Sequence, residues 1–152
     1  MTGVLVDTGS PHFVVESADL KDLDVPAVGK EIRHDAAFAP IGCNVNFVSI
    51  IGDREVRIRT YERGVEAETL ACGTGCVASA IVMAQSHNLA SPVTLNVRSG
   101  EQLLVRFQQK DDGFSDIWLE GSAHVHFTGV LHYNSLFNRL ADSFELLQTP
   151  IH

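Results

Sequence analysis

The segment after Gly73-Thr74-Gly75 constrains this chain most. Val77, Ala78, Ala80, Ile81, Val82, Met83 and Ala84 follow in close order, with Ser79 the main polar interruption. A helix over Thr74–Gln85 is therefore apolar on nearly every face, and such a helix has to be enclosed on all sides. The chain has 152 residues, 45% of them hydrophobic, which suits one domain with a substantial core. What remains to wrap the helix is strand. The expected architecture is a central buried helix enclosed by short strands.

Strand-like segments are Val4–Val6, Phe13–Val15, Val45–Ile51, Glu55–Thr60, Val93–Val97, Leu103–Phe107, Ile117–Leu119 and Val125–Val130. Turn chemistry separates them at Gly52-Asp53, Ser99-Gly100, Asp111-Asp112-Gly113 and Glu120-Gly121. Val56, Ile58 and Thr60 alternate with Arg57, Arg59 and Tyr61, the pattern of a half-buried strand. Val93–Val97 and Leu103–Phe107 read as a hairpin around Ser99-Gly100. Amphipathic spacing predicts a second helix near Ala27–Ala37, and a third over Ser135–Leu147 with Leu136, Leu140, Phe144 and Leu147 on one stripe. No internal repeat or linker marks a domain boundary.

Composition removes several function classes. The net charge is −8 and the basic residues are scattered, so nucleic acid is not an expected partner. No run of about 18 apolar residues offers a membrane span. The N-terminus reaches Asp7 without a basic leader region, so no secretory signal is read there. Cys43, Cys72 and Cys76 form no disulfide framework, and reduced thiols in a cytoplasmic protein are the simpler reading. Cys72 and Cys76 lack the further ligands of a zinc site, and His124 and His126 share a strand face without a third ligand. No metal is expected.

Cys72 carries the chemistry. It stands directly before Gly73-Thr74-Gly75, at the mouth of the apolar helix, where unpaired N–H groups and the helix dipole favour negative charge. A thiol so placed can serve as a thiolate base or nucleophile near neutral pH, and the same N–H groups can hold a carboxylate. Upstream, Glu62 and Arg63 add one carboxylate and one guanidinium. The combination suits a small zwitterion. A buried cysteine is also a common packing residue, as Cys43 is read here.

The run Tyr61–Cys76 resembles the second signature of the diaminopimelate epimerase family, Glu-Arg-Gly-x-Gly-Glu-Thr-x-x-Cys-Gly-[Ser/Thr]-Gly. Glu62, Arg63, Gly64, Glu68, Thr69, Cys72, Gly73, Thr74 and Gly75 match it, with one extra residue at Val65-Glu66-Ala67. Thr8-Gly9-Ser10-Pro11-His12-Phe13 resembles the family's Gly-Asn-Pro-His turn, with Ser10 in place of Asn. Asn44-Val45-Asn46-Phe47 resembles its asparagine strand.

The resemblance implies an α+β half-domain of short, mostly antiparallel strands around a central helix over residues 1–131, with 132–152 as an extra helical tail. It implies stereoinversion of an amino acid by cysteine proton transfer, in the lysine and peptidoglycan precursor pathway, without a cofactor. Cys72, Glu62 and His12 take catalytic roles in that comparison. Arg63, Asn44, Gly73, Thr74 and Gly75 take substrate-binding ones. Such epimerases face two similar halves across a cleft, each supplying one cysteine, and this chain resembles only the second half, from about Gly3 to Val130. A lone monomer is expected to be inactive. The site is expected to be completed by a second copy in a homodimer or by a missing N-terminal half; a truncated binding or interaction module is the alternative.

Overall fold

The computed structural model describes residues 1–111, 113–130, 133–134 and 139–140. In chain order the elements are β1 (Val4–Asp7), β2 (Pro11–Glu16), α1 (Val25–Arg33), a short 3-10 turn (Ala36–Phe38), β3 (Asn44–Gly52), β4 (Glu55–Glu62), β5 (Ala67–Thr69), α2 (Gly73–His87), β6 (Val93–Asn96), β7 (Gln102–Lys110), β8 (Gly113–Glu120), β9 (Tyr133–Asn134) and β10 (Arg139–Leu140). Two compact units result, Met1–Ser122 and Ala123–His152.

The first unit is a curled sheet in the order β1-β2-β3-β4-β6-β7-β8, with β5 paired to β4. Neighbours are antiparallel except β2 with β3 and β4 with β6. The sheet bends around α2, which touches β1, β2, β3, β4, β6, β7 and β8. Cys76, Ala78, Ala80, Val82, Met83 and Ala84 pack there against Val14, Val48, Ile58, Leu95 and Val105. The α+β architecture expected from the apolar helix is the one observed.

Strand parity sorts the side chains. Val14, Val48, Val56 and Ile58 face α2, while Val15, Val45, Phe47 and Tyr61 face outward and pack with Val25, Val28 and Ile32 of α1. Helix α1 lies so close that a Cβ on Gly29 would meet the Tyr61 Cβ at 2.4 Å. It begins earlier than the spacing predicts, because Asp24 accepts a hydrogen bond from the Ala27 amide at 3.1 Å and Pro26 fits the first turn. It ends at Arg33, and the predicted last turn is the separate 3-10 turn capped by Asp35. Helix α2 stops at Asn88, whose left-handed φ of 56° closes it.

Two expectations change. Val125–Val130 lies within the second unit and is neither strand nor helix. Among the described residues no strand pairs with it, and Val125, Phe127 and Val130 are exposed. Of the helix expected over Ser135–Leu147, only Arg139–Leu140 is described, and it pairs antiparallel with Tyr133–Asn134 instead; the rest of that segment lies outside the described residues. Among the described residues no helix is long and apolar enough to cross a membrane.

Candidate active site at the head of the central helix

Cys72 is the N-cap residue of α2, in extended conformation (φ −134°, ψ 109°), and its carbonyl accepts the first helical bond from the Cys76 amide at 2.9 Å. Its side chain does not cap the helix, so the sulfur is left half-buried and open. Among the described residues no acceptor is paired with the amides of Gly73, Thr74 and Gly75. The other two thiols differ. Cys43 and Cys76 are fully buried, and burial pushes the Cys76 thiol up to about 12 and the Cys43 thiol upward as well.

The polar residues behind Cys72 follow from the same strand parity that builds the core. The inward rows Val14–Val48–Ile58 continue, toward the helix mouth, into His12, Asn46 and Thr60. Thr60 lies directly opposite Asn46 across the β3–β4 pair, and its hydroxyl donates to Asn46 Oδ1 at 3.0 Å. Asn46 Nδ2 is 3.0 Å from His12 Nδ1, and His12 Nε2 is 3.0 Å from Thr74 Oγ1. Thr74 Oγ1 in turn lies 3.7 Å from Cys72 Sγ. His12 is fully buried, with both ring nitrogens engaged, and it meets the helix mouth through Thr74. Burial, aided by the positive charge of Arg63 and opposed by Asp7 and Asn46, lowers its pKa from 6.5 to about 4. At neutral pH the imidazole is uncharged.

Asn44 is also buried, and its amide joins three segments. Its Nδ2 donates to Ser10 Oγ at 2.9 Å and to the Pro11 carbonyl at 3.2 Å, while its Oδ1 accepts from the Arg63 amide at 2.8 Å. Asn44 thus ties the β1–β2 turn and the β4–β5 turn to β3. Among the described residues, Glu62 and the Arg63 guanidinium enter no ion pair, and both side chains are half-exposed. The Arg63 guanidinium donates to the Ile41 carbonyl at a long 3.5 Å. Glu66 pairs with Arg33 instead, at 3.1 Å.

Glu68 fixes the approach to Cys72. Its carboxylate is almost wholly buried, held by Arg59 at 2.7 Å and 2.9 Å and by Arg98 at 3.1 Å. Arg59 Nη1 donates to the Leu20 and Leu23 carbonyls, at 2.9 Å and 2.8 Å. The Thr69 hydroxyl is buried without a hydrogen-bond partner among the described residues. Sequence reasoning missed Thr8, whose hydroxyl donates to the Thr74 carbonyl at 3.1 Å. It missed Asn46 and Thr60 as well. The available signal was parity: Asn46 shares a strand face with Asn44, in an otherwise apolar run.

In the second unit the His124 and His126 rings are 6.3 Å apart. Among the described residues no cluster of three or more His, Cys, Asp or Glu side chains is placed to hold a metal ion.

A family model described as diaminopimelate epimerase matches residues 4–124. The diaminopimelate epimerase of Aquifex aeolicus is 43% identical over 130 residues, covering 85% of this chain and 46% of that protein. That of Chlorobaculum tepidum is 45% identical over 127 residues, covering 83% and 48%. The chain spans about half the length of these curated relatives. Among solved structures, a probable proline racemase from Agrobacterium radiobacter superposes with a TM-score of 0.56 at 14% identity, covering 86% of this chain and 44% of that one. A phenazine biosynthesis protein of the PhzF family from Bacillus anthracis gives 0.50 at 17% identity, covering 72% and 33%. At such identities these two share the fold alone. The sequence match, its order along the chain and the fold agree: this chain belongs to the diaminopimelate epimerase family.

Proposed function

We propose that this chain is one half of a cysteine-based diaminopimelate epimerase site, with Cys72 as one of two thiols that exchange a proton at Cα. The observation that carries it is the half-buried Cys72 sulfur at the head of α2, beside unpaired amides and a hydroxyl at 3.7 Å. Inversion needs a base on one face of the carbon and an acid on the other. Cys72 serves one face. The substrate carboxylate lies against the amides of Gly73, Thr74 and Gly75, which stabilise charge as Cα loses its proton. The Arg63 guanidinium, in no ion pair among the described residues, takes a carboxylate by its planar fork, and Glu62 meets an ammonium group. Asn44 holds the two turns that carry these groups.

One such half supplies one of the two thiols, so the facing thiol comes from a second copy related by a two-fold axis or from a first half of the kind the relatives' further length holds; of these we propose the second copy. Edge strand β8 supports this. Its Leu119 and Trp118 are exposed on opposite faces, Trp118 at 70%, and among the described residues β8 pairs only with β7. Leu119 also adjoins the helix mouth, since a Cβ on Gly73 would lie 3.0 Å from its Cδ2. Mass in solution and cross-linking with a short dithiol-specific reagent test this. A dimer joined through Cys72 in both copies is expected, and the link is lost in Cys72→Ser. A dimer in which the Cys72 thiols never cross-link contradicts the shared site.

A further inference from the structure

We infer that Asn46, held by Thr60, fixes His12 in its Nε2–H tautomer and so turns the Thr74 hydroxyl proton toward Cys72 Sγ. Asn46 and Thr60 are then positioning residues for the thiol. The inference rests on the proposed function only in taking Cys72 as the reacting sulfur.

The direction of each hydrogen bond follows from the orientation of the Asn46 amide, whose Oδ1 faces Thr60 and whose Nδ2 faces His12. Thr60 donates to Asn46 Oδ1 at 3.0 Å, which leaves the amide NH2 facing His12 Nδ1, also at 3.0 Å. An amide NH2 can only donate, so Nδ1 must present its lone pair. A neutral imidazole has one N–H, which is therefore on Nε2. That N–H donates to Thr74 Oγ1 at 3.0 Å. The hydroxyl now accepts from the ring, and its own proton is left for the sulfur at 3.7 Å. A thiolate only accepts, so the string Thr60, Asn46, His12, Thr74, Cys72 ends on the group that needs a donor. His12, Asn46 and Thr60 are each at most 4% exposed, so water does not compete at the inner end of the string, while Thr74 and Cys72 stand at its exposed outer end.

The packing is tight at its centre. A Cβ on Gly75 would come within 2.5 Å of Asn46 Oδ1, so the amide is pressed against the first turn of α2. With the amide reversed, every bond would run the other way. His12 would carry its proton on Nδ1, Thr74 would donate to Nε2, and Cys72 would lose its donor. The two arrangements are chemically distinct and separable by measurement.

Nitrogen-15 NMR of the histidine rings at neutral pH reads the tautomer directly. His12 is expected as Nε2–H, and an Nδ1–H ring in the unaltered protein overturns the inference. Asn46→Asp presents an acceptor to Nδ1 and is expected to move the ring proton there, slowing iodoacetamide alkylation of Cys72 roughly fivefold. Thr74→Val is expected to slow it similarly, and Asn46→Asp should add nothing in that background. Additive effects would sink the idea. Thr60→Val keeps the shape, removes the clamp and is expected to give mixed tautomers; an unchanged pure Nε2–H ring there also counts against it. None of these readouts requires turnover. Normal tautomer behaviour without substrate proton exchange would overturn the epimerase proposal and leave this inference standing.

Discussion

Acidification should cost this protein stability through His12 before its carboxylates titrate. The folded-state pKa is about 4 against 6.5 for an unperturbed histidine, because the ring is fully buried. The unfolded chain therefore takes up the proton first. The stabilising contribution is complete above about pH 6.5 and is lost as pH falls toward 4. At about 1.4 kcal/mol per pH unit, the full loss is roughly 3 kcal/mol, with about 2 kcal/mol of it gone by pH 5. Urea unfolding between pH 7.5 and 5, for the unaltered protein and for His12→Gln, isolates this group from the other histidines. The variant loses hydrogen bonds to Asn46 and Thr74 and should be less stable at pH 7.5. The two stability curves should then converge as pH falls. Parallel curves, with the same slope in both proteins, would refute the assignment of a neutral buried His12.

Three further perturbations test other parts of the account. Val82→Asp should prevent soluble folding and Met83→Ala should cost about 2–5 kcal/mol in urea unfolding, since both side chains are buried inside the sheet; unchanged melting temperatures would remove α2 from the centre of the domain. Arg59→Ala should cost roughly 3 kcal/mol by leaving the buried Glu68 carboxylate to Arg98 alone, and an unchanged unfolding midpoint would mean that the pair does not anchor β5. Iodoacetamide should modify Cys72 well before Cys43 or Cys76, because only Cys72 is reachable without unfolding. Equal labelling of all three, read by mass spectrometry, would reduce Cys72 to a packing residue.

Much of the architecture was legible because one helix left few alternatives. Val77 to Ala84 cover nearly every face of α2, and only a curled sheet in a chain this short can enclose it. The strands β3, β4, β6 and β7 followed from alternation. The parallel pairs β2–β3 and β4–β6 did not, since no local turn announces a long-range pairing. Strand β5 is three residues long and owes its place to Glu68 between two arginines, which is a tertiary effect. Val125–Val130 shows the converse, an alternating run that forms no strand. At the site, Cys72 was visible from Gly73-Thr74-Gly75. The string behind it needed register, which places Thr60 against Asn46 and His12 beside them on the inward face.

The central claim is that Cys72 moves a proton at the α-carbon of diaminopimelate when two halves face one another. Incubation with L,L-diaminopimelate in deuterium oxide, followed by NMR or mass spectrometry of the recovered amino acid, tests it most directly. Deuterium should appear at Cα with the assembled protein and be absent with Cys72→Ala. Deuterium gain that survives Cys72→Ala, or that proceeds in a strictly monomeric chain, would contradict the account.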